Sequence, residues 1–373
     1  MICKLKDVIL KSNTGLDAIR RAPIIKEFTG VKCIRITDVS QDKPYEEWGN
    51  TKVLSNDFAK FQLKTGDILI ARTGATIGVN RYIDKNLSAV YNNGLIRLQI
   101  NDNLAIPKFI YYVLNTAAYL GRINAVSSGT VAQPNMKMND LLEFEFNLPD
   151  MIDQARIVKI LNDLDNKIMM NNEINDNLQQ QAFALFEERF PNIREGESRI
   201  GDYLSPKRGK NLLTKDAVLG NVPVVAGGLE PSTYHNKSNT GSPVITISAS
   251  GANAGFVNLW NVPVWSSDSS FIDESITRNV YFWYVLLKKR QQEIFDSQTG
   301  SAQAHIYPKH IEVMPMAKIN DDCMNSFNEL VSPLFMAIGK NNIQNKKLSD
   351  LRDTLLPKLM SGEIDVSDIK LDL

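Results

Sequence analysis

The chain has 373 residues, 43% hydrophobic and 23% charged, and its 42 Lys and Arg offset its 42 Asp and Glu. That length and apolar content require two or three domains with cores of their own, and zero net charge argues against a chain-wide field for a polyanion. No apolar run reaches the roughly 18 residues of a membrane span, the opening MICKLKDVIL has no signal-peptide core, and Cys3, Cys33 and Cys323 are too scattered for a disulfide framework or a CxxC metal site, so a reduced, soluble protein of the cytoplasm with no membrane partner is expected.

Residues 1–149 read as a first, strand-rich domain. Its charge is mildly positive, with 19 Lys and Arg against 15 Asp and Glu over residues 1–150. Val31–Val39 alternates as a strand, with Cys33, Arg35 and Thr37 on one side and Ile34 and Ile36 on the other. The stretch from Lys64 to Val79 reads as a turn, a buried strand Ile68–Ala71, a turn at Gly74 and a return strand through Val79. Pro107–Leu120 predicts a helix with an apolar and aromatic face; a polar loop over 126–135 and a short strand Phe144–Leu148 follow.

Residues 150–190 predict a long helix. Steps of four and three from Ile157 give Leu161, Leu164, Ile168, Asn171, Asn175, Leu178, Ala182 and Leu185, an apolar seam interrupted by two asparagines. A seam drifting instead through Ile174 is the alternative. Pro191 closes the helix. This segment is acidic, with 4 basic against 7 acidic residues over 151–190.

Residues 191–321 repeat the first domain in order. Val222–Val225 is the early strand, PVITISASGANAGF (243–256) matches the 64–79 stretch with Gly251 and Gly255 standing for Gly74 and Gly78, Val280–Lys289 is the aromatic helix, and QTGSAQAH (298–305) matches the polar loop. Residues 322–373 then repeat the long helix. Phe327, Val331, Leu334, Ile338, Asn341, Asn345, Leu348, Arg352 and Leu355 form its seam, with both asparagines recurring 170 positions on. Pro333 must kink this helix or mark its first turn. The chain is a tandem duplication whose two globular copies share a framework and differ in most other residues. The expected fold class is α+β: two pseudo-repeated mixed α/β domains separated by two long helices pairing as an antiparallel coiled coil. The helix-pairing residues are Ile157, Leu161, Leu164, Ile168, Asn171, Asn175, Leu178, Leu334, Ile338, Asn341, Asn345 and Leu348. Asn171 is expected to meet Asn341 at the centre, where a polar pair costs stability and penalises slipped registers.

The absent motifs matter as well. The sequence has no GxxxxGK[ST] phosphate loop, no GxGxxG opening a helix, no HExxH, no Asn/Asp-Pro-Pro-Tyr/Phe tetrapeptide and no Pro-Asp…Asp/Glu-x-Lys cluster. The three histidines, His235, His305 and His310, all lie in the second half, so no catalytic histidine is shared by the copies. The reading is a non-catalytic chain with no cofactor and no metal.

Five segments carry a family resemblance: GDILIARTGATIG (66–78), SGTVAQ (128–133), LPDMIDQARIV (148–158), NNEIN (171–175) and LRDTLLPKLMSGE (351–363). In this order, across two repeats and essentially the whole chain, they resemble the specificity subunits of type I restriction-modification systems. Of that family's Pro-x-x-Glu-Gln ahead of the first long helix, only the glutamine remains here, as Gln154. The resemblance implies two target-recognition domains, each reading one half of a bipartite double-stranded DNA site, with the helices as a ruler between them. Roughly 30 helical residues at about 1.5 Å each span about 45 Å, against about 34 Å for one DNA turn. It further implies two methyltransferase subunits docked on the helices, with motor-nuclease subunits joining that assembly.

Base edges are read by Arg, Lys, Asn, Gln, Ser or Thr, and phosphates by Arg, Lys and backbone amides. The first-domain candidates are Arg35, Arg72, Thr73, Ser128, Thr130, Gln133, Asn135 and Lys137. Those of the second are Lys207, Arg208, Lys210, Ser248, Ser250, Asn253, Thr299, Ser301, Gln303 and His305, with KRGK (207–210) the sharpest basic cluster. Gly74 and Gly251 read better as turn residues than as DNA contacts. Two other classes stay open: an orphan scaffold that assembles proteins without reading DNA, and an enzyme whose site is built from residues far apart in sequence.

Overall fold

The computed structural model describes residues 1–127, 136–300 and 303–371. Its contacts divide the chain into two units, Met1–Asn166 with Leu348–Leu373, and Lys167–Lys347. Both units mix helices and sheets, and both long helices, Met151–Arg189 and Asp321–Ser361, contribute to each.

In the first unit a four-stranded antiparallel sheet runs in the order Ile9–Thr14, Leu95–Ile100, Ile68–Ala71, Asn80–Tyr82. The strand Ile68–Ala71 is buried throughout because the sheet is covered on both faces. Alternation sends Ile68 and Ile70 into a core with Phe109, Tyr112 and Ile157, and Leu69 and Ala71 into a second core with Leu16, Ile34 and Tyr91. A second sheet orders Ile24–Ile25, Gly49–Thr51, Lys32–Ile34 and Ala89–Tyr91, the last pair parallel. The strand expected over Val31–Val39 stops at Ile34, and Ile36–Ser40 is helical. The Asp38 carboxylate accepts the Arg35 backbone N–H at 2.9 Å, which starts a helical turn where alternation alone suggested a strand. The helix expected over Pro107–Leu120 is two, Pro107–Val113 and Ala117–Ser127, and the Thr116 hydroxyl accepts the Tyr119 N–H at the break.

The second unit repeats this plan. Its four-stranded sheet runs Lys207–Arg208, Ser269–Asp273, Val244–Ser248, Val257–Trp260, and its smaller sheet runs Thr233–His235, Val222–Val225, Trp265–Ser266, again ending in a parallel pair. The helix Val280–Lys289 is buried from Val280 to Leu287 and packs in one core with Phe186 and Phe327 of the long helices.

Within each unit the long helices run antiparallel. In the first, Ile157 and Leu161 share a core with Leu356 and Leu359, the Arg352 guanidinium donates to Asp165 at 2.9 Å, and Arg156 donates to the Ile369 carbonyl at 3.2 Å. Tyr112 donates its hydroxyl to the other Asp165 oxygen at 2.7 Å, and burial together with that carboxylate pushes the phenol well above its ordinary range, so it stays a donor. In the second unit the asparagines form a ladder. Asn171 donates to Asn345 at 2.7 Å and to Gln344 at 2.9 Å, while Asn341 donates to Asn175 at 2.8 Å. Asn345 donates to Asn172 at 2.8 Å and Asn175 to Asn342 at 2.9 Å. The four bonds between asparagines pair up under a shift of 170 residues, so the ladder has local pseudo-two-fold symmetry; the bond to Gln344 has no counterpart, because Ile174 stands at the matching place. Asn171 therefore meets Asn345, and Asn341 meets Asn175, instead of Asn171 meeting Asn341. Leu164, Ile168, Leu178, Leu334, Ile338 and Leu348 are half-buried along the same face, whereas Ile174 is 44% exposed. Pro333 lies well inside the helix Asp321–Ser361, where its missing N–H leaves the Glu329 carbonyl without its helical donor.

Candidate nucleic-acid interface

The two units end their buried central strands in the same loop. In the first, Ala71 and Val79 are joined by a 2.8 Å backbone bond, Gly78 donates to the Ala71 carbonyl at 2.8 Å, Arg72 donates to Gly94 at 3.0 Å, and Met136 donates to Arg72 at 2.8 Å. In the second, Ser248 donates to Phe256 at 3.0 Å, Gly255 to Ser248 at 2.7 Å, Ala249 to Asp268 at 3.1 Å, and Ile306 to Ala249 at 2.9 Å. Gly74 and Gly78 have φ of 85° and 86°, and Gly251 and Gly255 have 83° and 88°. These glycines are set by backbone conformation, since L side chains rarely adopt that region.

In the first unit this loop gathers Arg72, Thr73 and Lys137. Arg72 and Thr73 follow the strand, and Lys137 is exposed next to Met136, whose N–H reaches Arg72. Arg35 sits on an adjoining loop, since Ile36 beside it packs against Gly94, the residue bonded to Arg72. The Arg35 side chain is 41% exposed, with its Nε 3.5 Å from Asp38. Ser128, Thr130, Gln133 and Asn135 lie outside the described residues, as does Ser301 of the second unit.

In the second unit most candidates converge. Arg208 donates through Nη2 to Asp268 Oδ1 at 2.7 Å, and Ser250 donates to Asp268 Oδ2. Ser250 bridges His305, and His305 exchanges two backbone bonds with Thr299 at 2.8 and 3.1 Å. The exposed Gln303 lies between those two, and the His305 ring stacks on Tyr307 with centroids 6.0 Å apart. Asn253 lies in the same loop, its carbonyl accepting the Phe256 N–H. Lys207 is exposed and donates to the Ser275 hydroxyl at 3.2 Å; Lys210 is exposed and its carbonyl accepts the Trp265 indole N–H at 2.8 Å. Ser248 needs correction as a candidate contact. It is buried and bonded to the Ala226 carbonyl, because it is the last residue of a strand covered on both faces.

Asp268 is the residue that sequence reasoning missed. It lies within SSDSS (266–270), which reads as an ordinary polar turn, and its relation to Arg208 depends on sheet register across 60 residues. The candidate residues thus form a rim of hydroxyls, amides and cations at a strand end, groups of the kind that read base edges by hydrogen bonds. Among the described residues no group of three His, Cys, Asp or Glu side chains is placed to hold a metal ion, and no helix is long and apolar enough to cross a membrane.

Residues 2–180 match the family described as the type I restriction modification DNA specificity domain. The specificity subunit of the type I restriction enzyme HindI from Haemophilus influenzae is 29% identical over 204 residues, 52% of this chain and 44% of that subunit. The MjaIX specificity subunit from Methanocaldococcus jannaschii is 24% identical over 311 residues, covering 71% of this chain and 70% of that one. The chain therefore spans less than half the length of the first relative and about two-thirds or more of the second. In fold it resembles the crystal structure of the type I restriction-modification S subunit from M. genitalium, with a TM-score of 0.53 at 19% identity over 96% of both chains. With the family match over residues 2–180, two specificity subunits similar to it in sequence, and a fold shared over nearly its whole length with an S subunit, the chain is similar to the specificity subunits of type I restriction-modification systems.

Proposed function

We propose that this chain is the non-catalytic DNA-reading subunit of a cytoplasmic type I restriction-modification complex. Each unit reads one half of a bipartite double-stranded site, and the paired helices set the gap and dock two methyltransferase subunits, to which motor-nuclease subunits are added. The observation carrying this reading is the duplicated strand-end loop, closed in both units by the same four backbone bonds and different in the side chains it presents. A shared scaffold with different polar rims is what reading two unlike half-sites demands. In the first unit Arg72, Thr73 and Lys137 would face DNA; in the second, Arg208, Ser250, Thr299, Gln303 and His305. Exposed Met169, Met170 and Ile174 on one long helix and Met336 and Ile343 on the other offer apolar area for protein partners.

The test is to express the chain with its modification subunits and sequence the host DNA for methylated adenines. A split motif of two unlike halves around a fixed gap is expected, and it should vanish when this chain is omitted. A stable complex that methylates no preferred sequence would contradict DNA readout and favour an assembly scaffold.

A further inference from the structure

Sheet register allows the two rims to be compared residue by residue. Ser248 lies opposite Ser269 and Ala71 opposite Leu95; Arg208 lies opposite Ser270 and Thr14 opposite Ile96. Arg208, Ser250 and Asp268 in the second unit therefore occupy the places of Thr14, Thr73 and Gly94 in the first. One hydroxyl is kept, and a bonded Arg–Asp couple replaces Thr and Gly.

The couple is not accounted for by stability. The side chains of Arg208 and Asp268 are 43% and 33% exposed, and ion pairs in such surroundings contribute little. Its effect is orientation. Asp268 is fixed from one side by the Ser250 hydroxyl and holds one guanidinium nitrogen of Arg208 from the other. The remaining N–H groups of that planar fork are left for a ligand. Each Asp268 oxygen accepts one bond here and has capacity for a second.

We propose, resting on the DNA-reading function above, that Arg208 and Asp268 read a G·C base pair in the half-site of the second unit. Arg208 donates to guanine O6 and N7, and Asp268 holds the guanidinium in place and accepts from the cytosine N4 amino group, the major-groove pattern that distinguishes this pair from A·T. Pre-ordering the arginine removes part of the entropic cost of forming that contact. The first unit, with Thr14 and Gly94 at these places, has no such couple and reads its half-site by other groups.

The experiment maps the methylated motif of the modification complex carrying the wild-type chain, Asp268→Asn, Arg208→Lys, or Arg208→Thr with Asp268→Gly, which installs the first unit's residues. The wild-type motif should contain a G·C pair at which each variant loses roughly tenfold or more of its preference, with the other half and the gap unchanged. If one variant fails to assemble, the isosteric Asp268→Asn or the charge-preserving Arg208→Lys still decides. Unchanged preference in an assembled variant, a change in the other half, or an affected position that is not G·C would overturn the inference. A wild-type complex without any split motif would instead bring down the underlying function, and the two failures are distinct.

Discussion

Asn171 is 1% exposed, and its amide nitrogen donates to both Asn345 and Gln344. Replacing it alone by Leu strands the half-buried Asn345 carbonyl and should cost about 1–3 kcal/mol, because an unmade buried bond loses its full desolvation penalty. Replacing Asn171 and Asn345 together by Leu removes donor and acceptor at once, so the double variant should recover much of that loss while register specificity weakens. Thermal melts of the two singles and the double form the check, and additive losses would show that the ladder bonds are not coupled. The heptad pattern made the seam asparagines legible, since two amides recur where Leu or Ile belongs. Their partners were not, because the helix offset that brings Asn171 to Asn345 is set by packing of whole elements. Asp268 was illegible for the same reason: nothing in SSDSS points to a cation 60 residues away.

Elements were read best where a pattern has one physical cause. Ile68–Ala71 and Val280–Lys289 are continuous apolar runs that only a doubly covered strand and a buried helix accommodate, and both occur with the expected bounds. The reading failed where a local side chain overrode periodicity, as Asp38 did by capping a turn after Ile34 and Thr116 by starting a new helix. The N-terminal strand Ile2–Lys4 pairs with Glu145–Asn147, a closure that no local signal announces. Beside it, hydrogen bonds from Lys4 and Lys6, at 2.7 and 2.6 Å, draw the Glu143 carboxyl down from 4.5 to about 2. A carboxyl with a depressed folded pKa adds stability above its unfolded pKa, and that contribution is lost as pH falls through the folded value. Melting temperatures of the wild type should therefore fall more steeply than those of Glu143→Gln between pH about 4.5 and about 2. Parallel profiles would show that this closure does not depend on the charge.

At the scale of the molecule the duplication was the most legible feature, because spacing near 170 recurs in strands, glycines, aromatic helix and seam alike. What each copy would read under the proposed function was not legible, since the two rims differ in a few side chains on an otherwise similar loop. A scaffold of this kind should be modular: each unit keeps its own cores and presents its own rim, so exchanging one should leave the other's reading intact. The most direct test exchanges residues 1–149 for the corresponding domain of a similar specificity subunit with a different known motif and maps methylated adenines in cells carrying the chimaeric complex. One half of the motif should change to the donor's while the other half and the gap stay as they were. A motif altered in both halves, or in neither, would contradict it.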